Sequence, residues 1–232
     1  MTEITFSSEI TVKLIDHMGG DDRVIQAAQV SAKGENNPDT VPPRLINALL
    51  KQKHGSTFEH SYFTFYVKAP IFVFREWMRH RMSSFNEMSG RYTELPGEFY
   101  VPAPDRKLFN QGTKMKPDFV EAPQDVINEV TSSVEYISHA TWNEYQRLLK
   151  LEVANEVSRI VLPLNIYSQM YWTVNARSLM NFLSLRGSQE GAALISHPQR
   201  EIQIGAEHID AIFSEIMPLT HESFVNNGRV AP

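Results

Sequence analysis

Residues 75–92 read Arg75-Glu76-Trp77-Met78-Arg79-His80-Arg81-Met82-Ser83-Ser84-Phe85-Asn86-Glu87-Met88-Ser89-Gly90-Arg91-Tyr92. Four arginines and a histidine stand among small donors and acceptors: Ser83, Ser84, Asn86 and Ser89. Pro70 sits where a helix starts and no breaker follows until Arg81, so the spacing predicts a helix over 70–81. Arg75 and Arg79 would then share one face, a turn apart, while Trp77 and Met78 point elsewhere and pack. The Ser, Asn and Gly after Arg81 read as a loop. Arginines on a helix face are ordinarily solvated or paired, here with Glu76, Glu87 or Glu94. The interleaving favours a second reading: forked guanidinium donors holding an anion in a defined orientation.

The rest of the composition narrows that anion. The chain of 232 residues has a net charge of −5, so the basic cluster is local and suits a small ligand better than nucleic acid. With 42% hydrophobic residues it can build a proper core, and its length fits one domain of generous size or two small ones. Cysteine is absent, which removes disulfides, thiolate-bound zinc and a thiolate nucleophile together. The eight histidines, among them His54, His60, His197, His208 and His221, show no two-histidine helical pair with a third ligand, so no metal site is expected. No Gly-x-Gly-x-x-Gly occurs, and neither a Ser-His-Asp nor a paired-carboxylate hydrolase can be read from spacing. Residues Met1–Glu9 lack an apolar signal core and no apolar run reaches spanning length, so a soluble cytoplasmic protein without membrane contact is expected.

Along the chain, residues 10–16 alternate as a half-buried strand, and Asp21 or Asp22 caps a helix to about Ser31. Leu45, Ile46, Leu49 and Leu50 mark a second helix ending near Gly55, followed by a possible capping box at Ser56–Glu59. Phe63, Phe65 and Val67 alternate with Tyr62, Thr64 and Tyr66 in the clearest strand, 61–68. Five prolines make 93–123 a long loop with a short strand at Phe99–Val101. Residues 124–151 form a long amphipathic helix with Val126, Ile127, Val130, Val134, Ile137 and Leu148 on its stripe, a length that invites another subunit. A helical turn over 154–161, a strand over 169–174, a helix from the cap Asn175 to Arg186 and another over 199–217 follow, and the tail from Asn226 should fray.

The order Arg79-His80-Arg81, Ser84, Asn86, Ser89, Arg91 resembles the signature of the flavin-dependent thymidylate synthases (the ThyX family), with every fixed position met. Further blocks are similar: His54–His60, Arg159–Pro163 and Tyr171–Arg186, so the likeness runs from about residue 10 to about residue 216. The absent thiol agrees, since this family needs no cysteine nucleophile whereas the classical thymidylate synthases do. The resemblance implies an α+β fold, a helical part with a small mixed sheet, assembled as a homotetramer with active sites between subunits. It implies reductive methylation of dUMP to dTMP with methylenetetrahydrofolate as carbon donor and NADPH reducing FAD. It places FAD at Ser56, Arg79, His80, Arg81, Glu87, Asn175, Ala176, Arg177, Asn181 and His197. It places dUMP at Glu76, Trp77, Met78, Arg79, Glu87, Met88, Ser89, Gly90, Arg91, Arg159 and Arg186, and makes Arg186 catalytic through its position at the pyrimidine. His54 and Tyr92 would line the flavin and folate space. The stretch Gly187–Ile195, ahead of His197, is longer than the family pattern. Two other readings stay open: a flavin- or nucleotide-binding relative without turnover, which the presence of Arg186 disfavours, and a nucleic-acid module, which the acidic whole disfavours.

Overall fold

The computed structural model describes residues 3–37, 39–187 and 191–232. Two compact bodies interleave along the chain, one made of 1–9, 68–75 and 87–170, the other of 10–67, 76–86 and 171–232.

In the first body, β1 (Thr5–Ser7) runs parallel to β5 (Glu98–Tyr100), with Phe6 opposite Phe99. Both pack with the 27-residue helix α4 (Gln124–Lys150), around a core of Ile4, Leu95, Phe99, Trp142, Tyr145 and Ile166. Tyr145 Oη accepts a hydrogen bond from Leu95 N at 3.3 Å, and Asn165 Nδ2 bridges Tyr100 O and Ser138 Oγ. Only Ser138, Trp142 and Tyr145 of α4 are buried. The predicted stripe is half-buried at Val126, Ile127, Val130 and Val134, and Ile137 is 49% exposed, so this body leaves much of that apolar face uncovered.

The second body holds most of a four-stranded sheet in the order β2 (Thr11–Met18), β3 (Tyr62–Pro70), β8 (Tyr167–Asn175), β4 (Ser83–Glu87). Its helices are α1 (Asp21–Lys33), α2 (Pro43–Lys51), α6 (Ala176–Arg186), α7 (Arg200–Ile216) and α8 (Pro218–Asn226). The alternation read at 61–68 buries Phe63, Phe65 and Val67 on one face. Trp77 stands edge-on to Trp172 at 5.5 Å, and Phe182 of α6 lies 5.0 Å from both rings.

Several sequence expectations are corrected. The arginine helix, α3 (Ile71–Trp77), is shorter than 70–81, and Pro70 closes β3 instead of opening the helix. Trp77, locked into the aromatic core, marks its end; tight turns follow, with Arg79 N bonded to Glu76 O and His80 N to Trp77 O. Arg75 and Arg79 therefore do not share a helix face. Residues 83–87 form β4 beside β8 rather than a loop, since pairing with a neighbouring strand outweighs the weak strand preference of Ser-Ser-Phe-Asn-Glu. The capping box at Ser56 does not form: Gly55–His60 is a 3-10 helix without a side-chain cap, and Glu59 pairs elsewhere. The proline-rich segment adds a small antiparallel pair, β6 (Phe109–Asn110) with β7 (Phe119–Val120). The turn at 154–161 is α5 (Asn155–Ser158) running into a 3-10 turn, Arg159–Val161. The tail from Asn226 does not fray; Arg229 and Pro232 are buried.

Candidate active site

Asn175 ends β8 and caps α6, its Oδ1 accepting from Ser178 N at 2.8 Å, as the sequence predicts. That junction and the turn after α3 face one cleft of about 830 Å³ in the second body. Arg79, His80 and Arg81 enter it from the turn, Asn175 from the end of β8, and Arg177, Asn181 and Arg186 from α6. Glu59, Ala231 and Pro232 also line it, Glu59 and Pro232 bonded to Arg177. Four guanidinium groups against two carboxylates, Glu59 on Arg177 and Glu76 on Arg186, leave it net cationic, and the amino end of α6 adds to that. Size, charge and the helix start all suit a large anionic ligand such as a dinucleotide.

Arg186 is the most constrained of these arginines. Its Nε donates to His80 Nε2 at 3.1 Å, its Nη1 to Glu76 Oε2 at 3.1 Å and its Nη2 to Glu76 O at 3.4 Å. The contact with His80 defines the imidazole. A ring nitrogen that accepts a hydrogen bond carries no proton, so His80 holds its proton on Nδ1. Burial, then the Arg186 charge beside it, lowers the His80 pKa to about 4, and the ring is neutral at physiological pH. Arg177 is fixed differently. Its Nη1 donates to Glu59 Oε1 at 2.6 Å and its Nε to Pro232 O at 2.8 Å. The guanidinium lies directly on the backbone of Gly55, where an added Cβ would stand 2.5 Å from its Cζ and Nε.

A second, smaller cleft of about 250 Å³ lies in the first body. Glu87, Met88, Gly90, Arg159 and Ser168 line it, with an apolar wall that includes Leu95, Leu162 and Ile166. Gly90 lets Arg159 in close, since a Cβ there would stand 3.2 Å from Arg159 Cδ. Arg91 follows, exposed, with its Nε on Glu156 Oε2 at 3.0 Å, and its backbone N donates to Ser89 Oγ.

The predicted residues thus divide between two clefts. Glu76 stands beside Arg186, and Glu87 belongs with the second set. Trp77 is fully buried, so its side chain offers nothing to a ligand, and Met78 is half-buried beside it in sequence. Ala176 is buried with its N bonded to Ser61 O. Ser56, His54, Tyr92 and His197 are exposed and line neither cleft. His197 sits in the loop before α7; part of the longer stretch ahead of it, 188–190, lies outside the described residues. Sequence reasoning missed Gly55, the pairing of Glu59 with Arg177, Ser168 and the tail; Gly55 alone carried a signal, as a bare residue inside the His54–His60 block. Among the described residues no group of three or more His, Cys, Asp or Glu could hold a metal ion, and no helix is long and apolar enough to cross a membrane.

Comparison with known proteins gives these clefts a context. Residues 13–219 match the family model described as thymidylate synthase complementing protein. A flavin-dependent thymidylate synthase of Tropheryma whipplei is 47% identical over 98% of this chain and 97% of its own length. One from Streptomyces coelicolor is 48% identical over 99% of this chain and 96% of its own length. Among solved structures, the UMP/dUMP methylase PolB from Streptomyces cacaoi, bound with 5-Br UMP, matches with a TM-score of 0.92 and 44% identity, covering 99% of both chains. The fold, the arginine-lined clefts and identity at this level along nearly the whole chain lead to one conclusion: the chain belongs to the flavin-dependent thymidylate synthase family.

Proposed function

We propose that this protein methylates dUMP reductively to dTMP, with methylenetetrahydrofolate as carbon donor, NADPH as reductant and FAD as bound flavin. The observation that carries the reading is Arg186, a guanidinium held on three sides by Glu76 and His80 at the edge of a cationic cleft. FAD fits that cleft: Arg79, Arg81 and Arg177 supply positive charge for its diphosphate, and Asn175 and Asn181 supply polar edges. His80 joins them at this cleft; Ala176, Ser56, Glu87 and His197 are assigned to the flavin by the family resemblance alone. When bound and reduced, the flavin supplies the hydride that the methylation consumes.

The chain's own residues do the rest. Arg159, Glu87, Met88, Ser89, Gly90 and Arg91 are assigned to the nucleotide on the first body; the family resemblance also assigns it Glu76, Trp77 through its backbone, Met78, Arg79 and Arg186, which a second subunit contributes in a site shared between subunits. Arg186 stays charged at any working pH and stabilises the pyrimidine as its N3-deprotonated anion, which makes C5 more nucleophilic. Neutral His80 adds no competing positive charge and, as an acceptor, fixes the plane of the guanidinium. We take residues 1–232 as one functional domain, working in the cytoplasm as a homotetramer; the half-covered stripe of α4 supports an assembly.

The test is direct. The purified protein should show the visible spectrum of oxidised flavin or take up added FAD, and elute near four times 26.5 kDa. It should form dTMP only when dUMP, methylenetetrahydrofolate and NADPH are all present. UMP belongs in the same assay, because the solved relative is named for both nucleotides. A colourless protein that ignores FAD and makes no dTMP would remove the reading.

Gly55 offers a sharper check of the flavin assignment. In Gly55→Ala the new methyl must push the Arg177 guanidinium off its place, a flexible side chain giving way before the backbone does. We expect FAD affinity to fall about tenfold or more while the melting temperature changes little, because one charge-assisted contact is displaced. Titration of apoprotein with FAD reads this directly.

A further inference from the structure

The tail beyond α8 is tied down at nearly every residue, although the family reading assigns it nothing. Gly228 and Arg229 both take left-handed backbone, at φ 71° and 56°, which turns the chain back on itself. For Arg229 that conformation is unfavourable and needs compensation from its surroundings. The compensation is a buried latch. Arg229 Nη2 donates to Asp210 Oδ1, which also meets His221 Nε2 at 3.1 Å, and the guanidinium lies 4.9 Å over the Phe224 ring. Burial works against the Asp210 charge, but His221 and Arg229 outweigh it and keep the carboxyl below its usual range. Ser184 Oγ of α6 donates to Arg229 O at 2.5 Å. Lys53 Nζ donates to Ala231 O at 2.9 Å, and Arg177 Nε to Pro232 O at 2.8 Å.

We propose that residues 229–232 are a positioning element of the cofactor cleft. Latched at Arg229, the segment brings a main-chain oxygen of Pro232 to Arg177 and presets that guanidinium for a diphosphate-bearing flavin. The geometry supports a supporting wall. Pro232 takes only the Nε edge of Arg177 and Glu59 takes Nη1, and the side chain, which lines the cleft, remains 45% exposed. A long side chain oriented before binding loses less freedom when the anion arrives. This inference rests on the proposed flavin site, and its test separates the two.

The experiment compares FAD binding to four apoproteins: the full chain, a variant lacking Ala231 and Pro232, Arg177→Ala, and the two changes combined. Binding is followed by quenching of flavin fluorescence, and thermal melting is recorded for each. We expect the shortened chain to bind FAD about tenfold more weakly, as for loss of one contact to a charged group. Its melting temperature should stay close to that of the full chain. In the Arg177→Ala background, removing the two residues should cost nothing further, the non-additivity that marks an effect passing through Arg177. Lys53→Met, an exposed change that cuts one tie to the tail, should give a smaller loss of the same sign and serves if the shortened chain does not fold. Unchanged or tighter FAD binding in the shortened chain overturns the proposal, as does an equal loss in the Arg177→Ala background. If Arg177→Ala leaves FAD affinity unaltered, the flavin assignment of Arg177 falls and the tail's role with it. If the full chain takes up no FAD, the functional reading itself falls.

Discussion

Arg186→Ala should fold, bind FAD and lose dTMP formation by a factor of about a thousand or more, the scale of removing one preorganised electrostatic donor. The environment of Arg186 explains why the loss should be specific. The side chain is 21% exposed and reaches back from the end of α6 to Glu76 and His80, whereas the buried face of α6 is made by Leu179, Met180, Phe182 and Leu183. Removing it therefore spares the core. Reduction of bound flavin by NADPH should survive better than methylation, because it requires no activated pyrimidine. His80 supplies an internal readout. With the cation gone its pKa should rise from about 4 toward 6.5, but only part of the way, since burial is the larger cause of the depression. Its imidazole resonances, followed by NMR against pH, would show this, while anaerobic flavin reduction and dTMP yield are measured on the same preparation. Near-normal dTMP yield would end the catalytic assignment. Loss of FAD along with both activities would make Arg186 structural.

Arg159→Ala should weaken dUMP binding by about 1.5–3 kcal/mol, the scale of one hydrogen bond to a charged group. Arg159 and bare Gly90 shape the small cleft, whose remaining wall is largely apolar, so no second cation on that wall can substitute. Arg159→Lys should recover only part, because the fork is lost. FAD affinity should not move, since Arg159 is not among the residues lining the larger cleft. Arg91 makes a useful comparison: its pair with Glu156 is about half exposed on both sides, the kind of contact worth at most about 1 kcal/mol, so it can be exchanged for a nucleotide phosphate at little cost. Calorimetry with dUMP decides both. Unchanged affinity in Arg159→Ala would mean that the small cleft is not the nucleotide site.

Local pattern accounts for much of what was legible beforehand. Strict alternation at Phe63, Phe65 and Val67 specifies β3, because a period of two can bury only one face of a strand. An asparagine before a helical run specifies the start of α6, because its side chain satisfies an amide the helix cannot. Unbroken amphipathic spacing specifies α4 to within a residue of its end. The identities of the site arginines were also readable, since their order along 79–91 resembles one family's signature.

Tertiary structure decided what that order could not carry. Local preference leaves Ser83–Glu87 unassigned, and it becomes β4 only because β8 offers it backbone partners. The arginine helix stops at Trp77 because an aromatic core built from distant residues claims that side chain, a competition no helical periodicity records. Arg186 meets His80 and Glu76 across separations of 106 and 110 residues, and Arg177 meets Pro232 across 55. The sequence by itself determined which residue types were present and where helix or strand could form. Which of them converge, which guanidinium is held on three sides, and that the tail is latched rather than frayed depend on packing between segments far apart in the chain. Local spacing has no term for that distance.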